Sequence, residues 1–545
     1  MLRQIVRRGR LNTLSALFLG SVVLAVVLVV ALMYSRPRVT DSSSPLILYC
    51  AAGMRVPVEQ IVEAYEREYG VRVEIHFGGS GALLSQLEVD KFSEADLYVA
   101  ADTQYTDLAR EKGLAVEVLP AGHVRPVIAV RRDCKKTIES LQDLLRDDVG
   151  VVLGNSEGPA IGRITKERLE RVPAGDETFW SRLEAHVRKN GVFKPTVNDV
   201  AQDVKLGAMD AGIVWDSTVA MPGFREQLRA ISVEELAGDP SLVSVCVLTS
   251  SPRPTSALRF ARYLTARDRG LPSFEEYGIR PVEGDVWEER PQLTFFCGAV
   301  NRRAIEQVLD RFQEREGVEI NTIYDGCGIL TSRMKTFTDQ STDLGFPDVY
   351  MACDVYYLEN VKEWFQEAAN VSDTEIVIAV PKGSSKVTGL KDLIRPGIRV
   401  AIGEPDQCTI GALTRRLLQR EGLYESLKKK QQQPGEVVVE KSSSAHLVPD
   451  VTTSNVDAAV AYITDVLANQ NKVDIVRIES DLNKAIQPFS IARSSDFKYL
   501  SRRLFQRIAQ SPEAFEDAGF HFRLGEDDPS PPTEATRDAV PEGGS

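Results

Sequence analysis

From residue 46 onward the chain alternates between two hydrophobic rhythms. Short β-rich runs (LILYC at 46–50, VRVEIHF at 71–77, DLYVAA at 96–101, VIAV at 127–130, VGVVLG at 149–154, AGIVW at 211–215) are separated by longer stretches with helical spacing. Val58, Ile61, Val62 and Tyr65 fall at i, i+3, i+4 and i+7, the apolar stripe of an amphipathic helix, and ALLSQLEVDKF at 82–92 also reads as helix. Strand–helix–strand alternation predicts parallel sheets joined by right-handed crossovers, hence an α/β fold. In such sheets ligands sit beyond the carboxyl ends of the strands. The residues to read for function are therefore those just after Cys50, Phe77, Ala101, Gly154 and Trp215.

The pattern occurs twice. LILYCAAGMRVPVEQIVEAYEREYGVRVEI in the first half faces LTFFCGAVNRRAIEQVLDRFQEREGVEINT in the second, setting Cys50 against Cys297 and the helical stripe against Ile305, Val308, Leu309 and Phe312. ADLYVAAD ending at Asp102 faces PDVYMACD ending at Asp354, VIAV at 127–130 faces VIAV at 377–380, and DAGIVW ending at Trp215 faces DAAVAY ending at Tyr462. Each half predicts one unit of two α/β lobes around a cleft, the first over 41–292 and the second over 293–525.

The ends read differently. Leu14 to Tyr34 carries no charge and is long enough to span a bilayer core, for which about 20 apolar residues suffice. Arg3, Arg7, Arg8 and Arg10 precede this run and only Arg36 and Arg38 follow closely, so residues 1–40 read as a basic cytoplasmic N-terminus and an uncleaved transmembrane anchor. The bulk of the chain is then expected in the periplasm, held at the cell membrane. The Pro-rich, acidic stretch 526–545 reads as a disordered tail.

Composition changes this picture mainly by exclusion. The 545 residues carry a formal net charge of -13, and no clustered positive charge is available for a nucleic-acid partner. Seven cysteines without a C-x-x-C pair do not make a disulfide scaffold. The five histidines form no HExxH motif, Ser80 lacks a G-x-S-x-G elbow, and no histidine stands at a repeated strand end to activate a nucleophile, so no catalytic set is expected. Asp102 and Asp354, repeated after the third strand, read as helix caps or hinge residues rather than as acid–base groups.

Two loops of the first half open helices at strand ends. FGGSGALLSQL places Ser80 at a helix start, and LGNSEGPAIGRIT runs through Gly and Pro into another. Free N–H groups and the positive end of the dipole make such starts anion sites without any charged side chain. Arg55 and Arg302, equivalent in the two halves, and Arg163, where the second half has Ala412, are candidate anion partners that otherwise read as solvated helix residues.

With CAAGMRVPVEQIVEAYEREYGVRVEIHFGGSGALLSQLE, ADLYVAAD and DAGIVW in the first half, and PDVYMACD, VIAVPKGSSKVTGLKDLIRPGIRVAIGEPDQCTIGALTRRLLQREGLY and DAAVAY in the second, the chain resembles the periplasmic molybdate-binding proteins of ABC importers. The resemblance covers each half almost end to end. It implies a type II solute-binding fold, a tetrahedral oxyanion (molybdate, tungstate or sulfate) held between the lobes by hydroxyls and main-chain N–H groups, and a membrane permease as partner. Carried over position by position, it implies ligand contacts at Ser80, Ile161 and Val197, with Trp215 where the family has tyrosine and Gly53 where it has a second serine. In the second half the positions are Val300, Cys327, Ile410, Ser444 and Tyr462, so the tyrosine survives and both serines are gone.

Cys297, Cys327, Cys353 and Cys408 all fall at expected cleft positions of the second half. Three readings stand: small buried hydrophobes; a disulfide such as Cys327 with Cys408; or thiolate ligands for a soft metal, Cu(I) or Zn(II), the one cofactor the sequence suggests. Cys50 and Cys246 read as packed, Cys134 as exposed. The expectation is a membrane-tethered tandem solute-binding protein of an ABC importer rather than an enzyme. The alternatives are a sensory or scaffolding module with a degenerate cleft, or soft-metal binding by the second half.

Overall fold

Leu46–Ala51 lies inside a sheet, parallel to Val73–Gly78 on one side and to Leu97–Ala100 on the other, as the alternating pattern requires. These elements belong to a computed structural model that describes residues 44–89, 94–339 and 345–525. The expected anchor Leu14 to Tyr34 and the tail 526–545 lie outside the described residues. Among the described residues no helix is long and apolar enough to cross a membrane.

The amphipathic stripe forms the helix Arg55–Tyr69, with Val58, Ile61, Val62 and Tyr65 buried against the first sheet. It stops at Gly70, whose φ of 68° is the left-handed conformation that a glycine adopts without Cβ strain. The second half repeats this as Arg302–Glu316, ended by Gly317 at φ 66°. Each half has its own apolar core.

The expectation of parallel sheets needs correction, because both large sheets of the first half are mixed. In the first lobe Ser241–Leu248 runs antiparallel between Leu97–Ala100 and Ala115–Val124. In the second lobe Ala211–Trp215 pairs parallel with Val151–Gly154 but antiparallel with Pro126–Arg131. The cause is topological: a chain that leaves one lobe for the other must return, and the strands that carry it out and back run against the βαβ strands. At the crossing, Arg125 and Asp216 bond reciprocally, the Arg125 N–H donating to Asp216 Oδ1 at 3.0 Å and the Asp216 N–H to the Arg125 carbonyl at 2.8 Å. Pro126 follows, with no N–H to give a ladder. In the second half Ile376 has an N–H, donated to the Asn483 carbonyl at 2.6 Å, and one strand, Phe365–Pro381, pairs with both lobes.

The two halves are joined by more than a linker. Glu316, at the end of the first helix of the second half and 1% exposed, sits between Arg262 of the first half and Arg503 of the helix Lys498–Ala509. Arg503 grips it bidentately at 2.7 and 3.1 Å, and Arg262 Nη1 approaches Oε2 at 3.2 Å. Burial works against its charge, yet the two guanidiniums, Arg503 first, hold the carboxyl below its usual range. Around this centre Arg315 clamps Glu117 at 2.8 and 2.9 Å. Asp285 of the connecting segment accepts from the N–H groups of Tyr499 and Leu500 at 2.8 and 2.9 Å, capping a helix of the other half. Trp287 of the same segment donates its indole N–H to Tyr69 at 2.8 Å.

Removing one partner of a buried ion pair leaves the others uncompensated, at about 3–5 kcal/mol. Glu316→Ala is therefore expected to lose that much stability in denaturant unfolding and to separate the melting of the two halves. Glu59→Ala, which breaks only an exposed pair, should stay within about 0.5 kcal/mol of the parent.

Candidate functional site

The cleft of the first half is closed by main chain. The loop after Val73–Gly78 meets the loop after Val151–Gly154 of the opposite lobe, the Gly81 N–H donating to the Gly158 carbonyl at 2.7 Å. A Cβ on Gly79 would lie 2.9 Å from Pro159 N and from the Pro195 carbonyl, so only glycine permits this approach. The helices Ser80–Val89 and Ala160–Glu170 thus start at one place from facing lobes. Ser80 is buried there, and its Oγ accepts from the Ala101 N–H at 3.3 Å, which leaves the hydroxyl proton available to a ligand. Ile161 is buried in the first turn of the facing helix. A further bond across the lobes runs from the Asn198 side chain to the Ala52 carbonyl at 2.7 Å.

Gly53, Val197 and Trp215 come together. A Cβ at Gly53 would lie 3.1 Å from Val197 Cγ1 and 3.5 Å from Trp215 Cδ1, with Trp215 Nε1 at 3.9 Å. The tightest neighbour of a side chain at position 53 is therefore Val197, and the N–H edge of the Trp215 indole faces the same point.

The second half repeats the frame with other atoms. A Cβ on Gly326 would lie 2.6 Å from the Gln407 carbonyl, and one on Gly328 2.5 Å from that of Asp406, so these loops also touch across the lobes. Cys327 takes the place of Ser80 and keeps its bond: the Cys353 N–H donates to Cys327 Sγ at 3.1 Å. Cys353 Sγ lies 2.9 Å from Cys327 Sγ. Burial works to raise the Cys327 thiol, but the bonds from the Cys353 thiol and N–H hold it below the usual range. Donation to Cys327, followed by burial, pushes Cys353 up. Val300, Ile410, Ser444 and Tyr462 are all buried, with the segment Ala299–Asn301 packed on Ser444–His446.

The sequence of the family "Bacterial extracellular solute-binding protein" matches residues 46–280 and again 293–521. This chain belongs to that family. A Haemophilus influenzae relative named as a binding protein is 32% identical over 244 residues, 44% of this chain and 93% of the relative. The molybdate-binding protein ModA of Mycobacterium tuberculosis is 24% identical over 190 residues, 34% of this chain and 66% of ModA. Among solved structures, the Azotobacter vinelandii periplasmic molybdate-binding protein aligns with TM-score 0.35 and 14% identity, covering 43% of this chain and 98% of that one.

Other predicted residues of this solute-binding protein fall outside the cleft contacts or are already engaged. Arg55 and Arg302 are about half-exposed, paired one turn on with Glu59 at 3.3 Å and Glu306 at 2.9 Å, and stacked over Phe77 and Tyr324. Arg163 reaches across the lobes to Asp102 and also bonds Glu167 at 2.7 Å. Asp102 caps its helix through the Gln104 N–H, and Asp354 does the same through Tyr356. All seven cysteines are free, and Cys327 neighbours Cys353 rather than Cys408, whose thiol points to the Lys441 carbonyl at 3.4 Å. Cys297 lies within the strand Gln292–Gly298 with its thiol on the Gly298 carbonyl at 3.6 Å, and among the described residues no group of three or more His, Cys, Asp or Glu is disposed to hold a metal. Cys134, expected to be exposed, is half-buried against the first core. Cys50 and Cys246 are buried as expected.

Sequence reasoning missed Asn198, Tyr350, Thr409 and Asp465. Tyr350 and Asp465 sit where the first half has Tyr98 and Thr218, and only comparison of the halves with the closed cleft in view singles them out. Asp465 is half-buried as a residue, but its Oδ2 is enclosed without a partner, and desolvation pushes its carboxyl up to about 6 against the pull of Arg303 and Ser444. A carboxyl raised in the folded state binds its proton more tightly there than when unfolded. The contribution of this group to stability is then most favourable below about pH 4 and falls as pH rises from about 4 to about 6. Asp465→Asn is expected to be more stable than the parent by roughly 1–3 kcal/mol at pH 7 and equal to it near pH 4, read from unfolding curves at the two pH values.

Proposed function

We propose that this solute-binding protein is the extracytoplasmic binding component of an ABC importer, tethered by Leu14 to Tyr34, and that its first cleft takes a tetrahedral oxyanion such as molybdate, tungstate or sulfate. The observation that carries this reading is the meeting of two helix starts from facing lobes at Ser80 and Ile161. Main-chain N–H groups and dipole ends there stabilise negative charge without desolvating a cation. The Ser80 hydroxyl and the Trp215 indole edge add neutral donors, the latter standing in for a tyrosine hydroxyl. The Asp102–Arg163 pair ties the lobes beside the site, in keeping with a ligand that selects the closed arrangement. The closed form is what a membrane permease would receive.

The test uses the full chain, because the halves share the Glu316 centre. Unfolding is followed with molybdate, tungstate, sulfate and phosphate in turn. Ligand at about 100 times its Kd adds about 2.7 kcal/mol. One oxyanion is expected to raise the midpoint by a few degrees, and Ser80→Ala to weaken its binding about 10-fold or more, since a hydrogen bond to a charged group contributes about 1.5–3 kcal/mol. Silence across the panel would overturn the oxyanion reading and favour a sensory or scaffolding module.

A further inference from the structure

Four positions of the second cleft exchange apolar or hard donors for sulfur or hydroxyl relative to the first: Ser80 becomes Cys327, Ala101 becomes Cys353, Pro159 becomes Cys408 and Ala160 becomes Thr409. A fifth exchange makes room. Where the first half has Ala51 the second has Gly298, and a Cβ there would lie 2.3 Å from Cys353 Sγ and 2.9 Å from Cys327 Sγ. Gly298 has φ -57°, so its backbone demands no glycine, and the sulfurs do. The hydroxyls of Tyr350, Thr409 and Tyr462 are buried around this pair without hydrogen-bond partners. Buried polar atoms in that state cost about 1–3 kcal/mol each unless something meets them.

We propose that the second cleft is a dithiol site for a trivalent thiophilic oxyacid of the arsenite type, held between Cys327 Sγ and Cys353 Sγ with its remaining oxygen facing those hydroxyls. The close approach of the two sulfurs favours a centre with a narrow bite. With bonds of about 2.3 Å, a tetrahedral metal holds its sulfurs about 3.8 Å apart and a linear soft cation about 4.6 Å apart, whereas a pyramidal centre with near-right angles needs about 3.3 Å. The observed 2.9 Å lies nearest the last. A disulfide, at about 2.05 Å, requires the larger movement. Capture balances without redox change: two S–H and two As–OH bonds give two S–As bonds and two waters, leaving one As–OH. Entry requires the lobes to part, the hinge motion such pairs of lobes make. The inference rests on the solute-binding reading only in treating the second cleft as a ligand site.

The probe is sodium arsenite, added to the full chain freshly reduced and freed of reductant without air. One arsenic per chain is expected after gel filtration, with two thiols lost to titration in denaturant. Binding should be about 100-fold or more tighter than in Cys327→Ser or Cys353→Ala, because the second bond is intramolecular. Those variants restore the first-half residues and should fold as the parent does. Cys134→Ser should retain arsenic fully. Ser80→Ala, which disables the proposed oxyanion site, should also retain it, so failure of one reading is separable from failure of the other. The proposal is overturned if reduced parent protein retains no arsenic, if Cys353→Ala binds it as tightly, or if the pair closes to a disulfide and the re-reduced protein still takes up none.

Discussion

A single carboxylate buried between two guanidiniums fixes how the two halves of this protein are assembled. Glu316 ends the helix whose apolar stripe anchors the second core, Arg262 comes from the last long helix of the first half, and Arg503 from a helix near the end of the chain. Two positive charges on one negative would be an expensive arrangement in a dry interior, and Arg262 keeps two nitrogens without partners. The geometry around it shows how it persists: both Glu316 oxygens are engaged, and the connecting segment covers the site with Asp285 and Trp287. Such a centre can add little net stability and still be costly to break, because removing one partner leaves the others buried and unpaired. Two units that could have hung from a flexible joint are held as one body.

That body presents two clefts closed by the same device. Glycines at 79 and 81, and at 326 and 328, let loops of facing lobes touch main chain to main chain. The contact brings helix starts together, and what a cleft can bind then depends on the few side chains at those starts. In the first half they are neutral oxygen and nitrogen donors. In the second they are sulfurs and unsatisfied hydroxyls. The bond from the strand-end N–H to residue 80 or 327 survives the change from oxygen to sulfur, so the frame is kept while its chemistry is altered.

The lobe crossings diverged as well. Pro126 interrupts the passage in the first half, and the reciprocal Arg125 and Asp216 bonds hold it. Ile376 restores the missing donor in the second half and one strand runs through. The first half ties its lobes with Asp102 and Arg163, a link that Ala412 cannot make. Duplication thus preserved the scaffold and let joint and site drift separately.

The sequence by itself determined the repeat, the strands and helices of each half and the buried stripes, because local periodicity and a matched second copy report what a segment must bury. It also located the cleft loops and the capping role of Asp102 and Asp354. The tertiary structure alone decided the antiparallel crossing strands, the pairing of Cys327 with Cys353 instead of Cys408, the engagement of Arg163 by Asp102, and the Glu316 centre. Each of these joins residues from 26 to 187 positions apart, across lobes, halves or loops. No local pattern carries such a distance. Gly53 shows the same limit in one residue: that Val197 and the Trp215 indole meet around it is visible only in the fold.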